Sequence, residues 1–230
     1  MKLFDLMEKL KKVPLFGIND LSKITGLKPA SSRMLAWRLA KKGLITRIER
    51  AKYTTLDEPL AVAAYLVPLS YVGLYCALRF HGMITQIVAG IDILTKKSRK
   101  PTTVLERKVI FTKTKHFWGF EKYKINSFEV LVSDPEKTIM DCLLSEKIGP
   151  DVVLEALRAK EIDEMKLLSY ARKINSSALG KRLGFLLEKS GRDAHDYRIY
   201  AYGPYIMLDA RAKKKGRKNR EWRIVENVVV

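Results

Sequence analysis

Residues 19–55 read NDLSKITGLKPASSRMLAWRLAKKGLITRIERAKYTT, and the punctuation of this stretch decides how the chain is read. Asn19 or Asp20 can cap a short helix through a side-chain oxygen, with Leu21 and Ile24 as its inner face and Gly26 as its left-handed stop. Pro29 then suits the opening of a second helix, with Ala30 to Lys42 as its body and Gly43 as its terminator. After Gly43 the period switches from helical to alternating: Leu44 to Thr54 predicts two strands around a tight bend. The order is helix, turn, helix, wing. Upstream, Leu3, Leu6, Met7 and Leu10 recur at helical spacing and predict an amphipathic helix over residues 2–12, stopped by Pro14.

A winged helix-turn-helix reads duplex DNA by laying its second helix in the major groove while neighbouring cations hold phosphates. Residues 30–42 fit that task. Leu35, Ala36 and Leu39 can face a core, which leaves Arg33, Trp37 and Lys41 along another face with Ser31, Ser32 and Arg38 beside it. Arg33 and Arg38 are the candidates for base reading, because a guanidinium can donate two parallel hydrogen bonds to guanine. The serines can reach bases or phosphates. Trp37 stands between a core and a DNA-facing role, since helix aromatics serve both. Lys28, Arg47, Arg50 and Lys52 complete the set, the last three on the wing. Between Lys28 and Lys52 eight cations face Glu49 alone, so charge is concentrated where this module needs it.

Working outward, Asp57-Glu58-Pro59 breaks the basic run and marks a boundary between a 1–57 DNA-binding domain and a larger 58–230 domain. Tyr71 to Phe80 reads as a helix closing at His81-Gly82. A strand-rich region follows, clearest at Ile91–Thr95, Lys108–Thr112 and Phe128–Val132. Ser133-Asp134-Pro135-Glu136 joins a cap residue, a first-turn proline and a glutamate three after the cap, which predicts a helix over 135–145. Further helices are expected at about 151–159, 163–173 and 177–189, and Trp222–Val230 has strand composition. The fold class is α+β: an N-terminal winged helix, then a larger mixed α+β domain with a helical C-terminal part.

With 44 Lys and Arg against 25 Asp and Glu, the formal charge of +19 favours a polyanionic partner. Two further basic regions contribute. Residues 96–124 hold ten cations against Glu106 and Glu121, and residues 211–223 hold eight against Glu221. The latter tail reads equally as an extension of a DNA footprint, a solvated loop or a surface for an acidic protein. An RNA-binding alternative would use the basic strand region with Phe117, Trp118, Phe120 and Tyr123 as stacking platforms.

Other chemistry finds little support. Cys76 and Cys142 lie outside any disulfide or zinc spacing, and His81, His116 and His195 are scattered. No phosphate-binding glycine loop, nucleophile elbow, HExxH or paired-carboxylate motif occurs, so neither an enzyme nor a cofactor or metal site is expected. Asp134, Glu136 and Asp141 read as capping and helix residues before metal ligands. Leu60–Leu78 carries no charge over a membrane-spanning length. Pro68, Ser70 and Gly73 interrupt it, however, and a short extended piece followed by a helix is expected. The charged N-terminus MKLFDLMEKLKK is unlike a signal peptide, and a cytoplasmic protein is expected.

The order of segments is itself informative: the winged helix, then LSYVGLYCALRFHGM, FWGFEKY, VSDPEKTIMDCL and, after a basic tail, REWRIVENV. This arrangement resembles the AbiEi-type antitoxins of type IV toxin-antitoxin systems over nearly the whole chain. The resemblance implies a repressor that binds its own promoter as double-stranded DNA through the winged helix. It also implies a counterpart, a nucleotidyltransferase-like toxin that the antitoxin need not touch directly. Ser31, Ser32, Arg33, Arg38 and Lys41 occupy the family's expected helix, and Arg47 and Arg50 its wing. The chain departs from the family at the wing bend, where Glu49 and Ala51 stand where a glycine is usual.

Overall fold

Prolines and glycines set the course of the N-terminal segment. In the computed structural model, α1 (Leu3–Leu10) buries Leu6 and Leu10 and breaks before Pro14. β1 (Phe16–Gly17) leads into α2 (Ile18–Thr25), which ends on Gly26 at φ 73°, a conformation glycine adopts without steric cost. The cap of α2 is Gly17 rather than Asn19 or Asp20. Ile18 is drawn into the helix and the core, so Asp20 falls in the first turn, where its carboxylate accepts the Gly17 amide at 2.8 Å. α3 (Pro29–Lys41) opens on its proline. β2 (Thr46–Glu49) and β3 (Lys52–Thr54) pair antiparallel, with β1 on the far side of β3. Phe16, Ile18, Leu21, Ala36, Leu39 and Ile45 join Leu6 and Leu10 in one apolar core, with Leu35 half-buried at its margin.

Residues 2–87, 89–145, 147–159 and 162–230 are described. The chain forms two compact units, the first built from Met1–Tyr71, Ala89–Thr114 and Lys122–Leu131, the second from Val72–Val88, Lys115–Glu121 and Val132–Val230. Besides the elements above, the first unit holds α4 (Pro59–Ala64), β5 (Gly90–Thr95), β6 (Thr102–Val104) and β7 (Arg107–Lys113), while the division falls within β4 (Ser70–Val72), β8 (Phe120–Ile125) and β9 (Phe128–Ser133). These six strands form a mixed sheet in the order β6-β7-β5-β4-β9-β8. β5 and β7 run parallel from Gly90↔Lys108 to Thr95↔Lys113, and β6 and β7 form a hairpin. The hairpin turns on Leu105 and Glu106, both at positive φ. Without Asn-Gly or Asp-Gly there, β6 carried no turn signature.

The uncharged Leu60–Leu78 stretch divides into α4, β4 and α5 (Leu74–Phe80). The expected helix from Tyr71 therefore starts three residues later: Tyr71 and Val72 are buried in a strand, and Gly73 stands at the helix start. α4, where an extended piece was expected, opens on Pro59 and is capped by Glu58, whose carboxylate accepts the Leu60 amide at 3.3 Å. Among the described residues no helix is long and apolar enough to cross a membrane.

The second unit gathers α5, α6 (Pro135–Ser145), α7 (Pro150–Ala159), α8 (Glu164–Ile174) and α9 (Ser177–Ser190), a short 3-10 helix (His195–Tyr200) and a small sheet of β10 (Ile206–Met207), β11 (Arg217–Asn219) and β12 (Ile224–Glu226). The cap of α6 is Asp134, not Ser133: its carboxylate accepts the Lys137 amide at 2.7 Å. Ser133 instead shares a 2.7 Å hydrogen bond with Thr138. Trp222 is fully buried against Gly184 of α9, where any side chain would collide with its ring. The architecture is α+β.

Candidate nucleic-acid interface

α3 is held by one face. Ser32, Ala36 and Leu39 are buried at helical spacing, and Leu35 and Ala40 are half-buried beside them. Gly26-Leu27-Lys28 turns the chain between α2 and α3, and a hydroxyl pair locks the two helices: Ser22 Oγ donates to Ser32 Oγ at 2.9 Å. Ser32 is therefore corrected from a candidate DNA contact to a fastening between helices, since a fully buried hydroxyl with a partner cannot reach a base edge.

The opposite face is cationic and open. Ser31, Arg33, Met34, Trp37, Arg38, Lys41 and Lys42 are exposed, as is Lys28 just before the helix. Arg33, Trp37 and Lys41 form one row at four-residue spacing, while Ser31, Met34 and Arg38 form the adjacent row. Trp37 is 56% exposed, and the Lys41 ammonium stands 5.2 Å from its ring centre, a cation–π contact that orients both groups outward. No carboxylate among the described residues forms an ion pair with Lys28, Arg33, Arg38, Lys41 or Lys42. Met34 was missed in the sequence, although the four-residue repeat from Ala30 to Arg38 runs through it.

The two-stranded ribbon after α3 divides its cations into two groups. Arg47 and Arg50 are exposed, with Arg47 Nε donating to the Glu49 carbonyl at 3.2 Å. Ala51 makes the bend at φ 59°, the left-handed conformation a glycine would take freely. The register shifts between Arg47 and Glu49, a bulge that re-aims the strand. Lys52 is a second correction: its ammonium is turned to the Leu66 carbonyl at 3.2 Å and to Glu49 at 3.4 Å, so it braces the ribbon rather than facing outward. Glu49 also pairs with Arg99, which donates to the same Leu66 carbonyl at 3.1 Å and lies 4.7 Å over Phe111. Burial lowers the Arg99 pKa from its ordinary value. Sequence reading missed Arg99 because its partner lies 50 residues away, beyond any local pattern.

One group of charged residues in the second unit is paired internally. Asp134 accepts from the Tyr170 hydroxyl at 2.8 Å and faces Lys166 at 3.2 Å, while Glu136 accepts the Asp163 amide at 3.0 Å and faces Lys166 at 3.1 Å. Lys137 and Asp141 are paired and fully buried. Burial lowers the Lys137 pKa, opposed by Asp141, whereas the Glu136 and Asp134 carboxylates outweigh burial at Lys166 and raise it. Burial first, then the bond to Asp134, raises Tyr170. Among the described residues no three His, Cys, Asp or Glu side chains converge to hold a metal ion. The aromatics of 117–123 are half-buried: Phe117 packs edge-on to Phe120 at 4.9 Å, and Trp118 to Tyr170 at 4.7 Å. Trp118 is further flanked by the Lys137 and Lys173 ammonium groups.

Comparison with family models finds none that matches, and comparison with curated proteins finds none either. Solved structures do match. One is the crystal structure of the RV2827C protein from Mycobacterium tuberculosis, with a TM-score of 0.66 over 96% of this chain and 89% of that one, at 11% identity. A likeness at that identity speaks for the fold alone.

Proposed function

We propose that this chain is a DNA-binding transcription regulator whose N-terminal segment works as a winged helix-turn-helix. The observation that carries the reading is the outward face of α3, where Arg33, Arg38 and Lys41 are exposed and form no ion pair with a described carboxylate. Unneutralised cations on a rigid helix seek an external anion. Arg33 and Arg38 would read guanine edges, and Lys28, Lys41, Arg47 and Arg50 would hold phosphates. Trp37 would lie against the backbone sugars or a thymine methyl. The ion pair of Glu49 with Arg99 would fix the direction in which Arg50 reaches.

The decisive experiment is fluorescence-anisotropy binding to the chain's own upstream duplex and to a scrambled duplex across a salt series. Wild type should prefer its promoter, and Arg33→Ala or Arg38→Ala should flatten that preference. Equal, steeply salt-dependent binding to both duplexes by wild type would remove the regulator and leave a polycation.

The family resemblance extends the proposal to an autorepressing antitoxin acting in the cytoplasm against a nucleotidyltransferase-like toxin encoded alongside. Co-expression from an unrelated promoter with such a neighbouring reading frame should restore growth that the frame alone arrests. Restoration should survive Arg33→Ala, because antitoxicity does not require promoter reading. Continued arrest would restrict the function to DNA binding.

A further inference from the structure

The basic tail of the second unit is not a loose end. At one side Asp209 and Asn227 clasp each other: the Asp209 amide donates to Asn227 Oδ1 at 3.0 Å, and Asn227 Nδ2 donates to the Asp209 and Lys213 carbonyls at 2.7 and 3.1 Å. Arg211 is used up here, bidentate on Asp209 and donating to the Lys147 carbonyl at 2.8 Å. At the other side β11 pairs antiparallel with β12, and Asn219 Oδ1 accepts the amide of the buried Trp222 at 3.0 Å. Gly216 lies so close to the Glu226 backbone that a side chain there would collide with it.

Between these fastenings Lys213, Lys214, Lys215, Arg217, Lys218 and Arg220 are all open to solvent, Lys213 and Arg220 at either end of the run. The nearby acids are engaged elsewhere. Asp209 binds Arg211, Glu188 binds Arg198 and the Trp222 indole, Glu221 pairs with Arg198, and Glu226 accepts from Asn219. No described carboxylate forms an ion pair with any of the six cations. Six like charges over eight residues lie mostly within a Debye length of about 8–10 Å, and the fastened backbone prevents them from spreading apart. Lys218 lies 5.4 Å from the Tyr205 ring centre, and an anion from outside would relieve the repulsion along the run.

We propose that the 213–220 segment is a second phosphate-binding surface, taking the backbone of duplex DNA without reading its sequence; the choice of duplex rests on the function proposed above. The segment contains no large apolar side chain to anchor a protein partner, and lysine is depleted in protein interfaces.

The test compares wild type with Lys213→Gln/Lys214→Gln/Lys215→Gln/Lys218→Gln in the full chain, on promoter and scrambled duplexes over a salt series, with thermal melting to establish that both are folded. Each phosphate that the variant no longer neutralises should lower the slope of log K against log salt by about 0.9. The variant's slope should therefore fall by about two to four, and its low-salt affinity at least about tenfold, on both duplexes alike. Its promoter preference should stay intact, and the matching four-arginine variant should bind as wild type does. An unchanged slope and affinity overturns the surface, and so does a variant that loses binding to phosphatidylserine vesicles while binding duplexes as before. The two proposals fail separately. If wild type shows no promoter preference yet the slope still drops in the variant, this surface stands and the regulator falls; if Arg33→Ala flattens preference but the slope does not move, the reverse holds.

Discussion

α3 and α6 carry three charged side chains each, Arg33, Arg38 and Lys41 in one and Glu136, Lys137 and Asp141 in the other, and the structure disposes of them in opposite ways. Those of α3 are all exposed, while those of α6 are all buried and partnered. The difference lies in sign. Like charges on one helix cannot neutralise each other, so they stay in water. Opposite charges at four-residue spacing, such as Lys137 and Asp141, can leave water together. Charge density alone therefore does not tell the two helices apart; whether the charge is neutralised within the fold does.

The comparison breaks most sharply at the buried pair. Lys137→Met alone takes the ion-pair partner from buried Asp141 and should cost about 3–5 kcal/mol of folding stability, with Lys137→Met/Asp141→Leu recovering most of it. Urea unfolding checks this, and a single mutant as stable as wild type would show that Asp141 finds water. On α3 the expectation is reversed: Arg33→Ala or Arg38→Ala should change folding stability by no more than about 0.5 kcal/mol. The same substitutions should cost about 1–3 kcal/mol of discrimination between promoter and scrambled duplex. A large loss of stability in either would mean that the arginine is structural.

Smaller effects sharpen the division within the N-terminal segment. Ser32→Ala removes the partner of the Ser22 hydroxyl and should cost about 0.5–1.5 kcal/mol of stability, leaving the ratio of the two duplex affinities unchanged. A shift in that ratio would return Ser32 to the DNA side. Smallest is the bracing of the ribbon: Arg99→Ala should make Arg50→Ala less costly to DNA affinity, a coupling of about 0.5–1 kcal/mol in a double-mutant cycle. Additivity of the two would show that Arg99 does not set the position of Arg50.

The helices of both units were legible wherever apolar period and punctuation agreed. Pro29 and Gly43 bracket α3, and the DPEK segment opens α6 within a residue of its expected start. Errors arose where a local signal had two uses. Ser32 reads as a polar helix residue among other polar residues, and only the approach of Ser22 from α2 makes it internal. Asn19 and Asp20 both resemble caps, and the demand of Ile18 for the core displaced them. β4 was hidden in an uncharged run because Tyr71 and Val72 suit a buried strand as well as a helix.

By itself the sequence determined the α+β class, the helix-turn-ribbon order of residues 18–54 and the concentration of cations there, because these follow from periodicity, capping and composition within short windows. Only the tertiary structure decided which cations are free to act. Arg99 closing on Glu49, Lys52 turning to Leu66 and Arg211 folding onto Asp209 each depend on where the backbone places an opposite charge or a carbonyl. Neutralisation is a matter of distance, and the distance between Arg99 and Glu49 is set by the fold, not by the fifty residues between them.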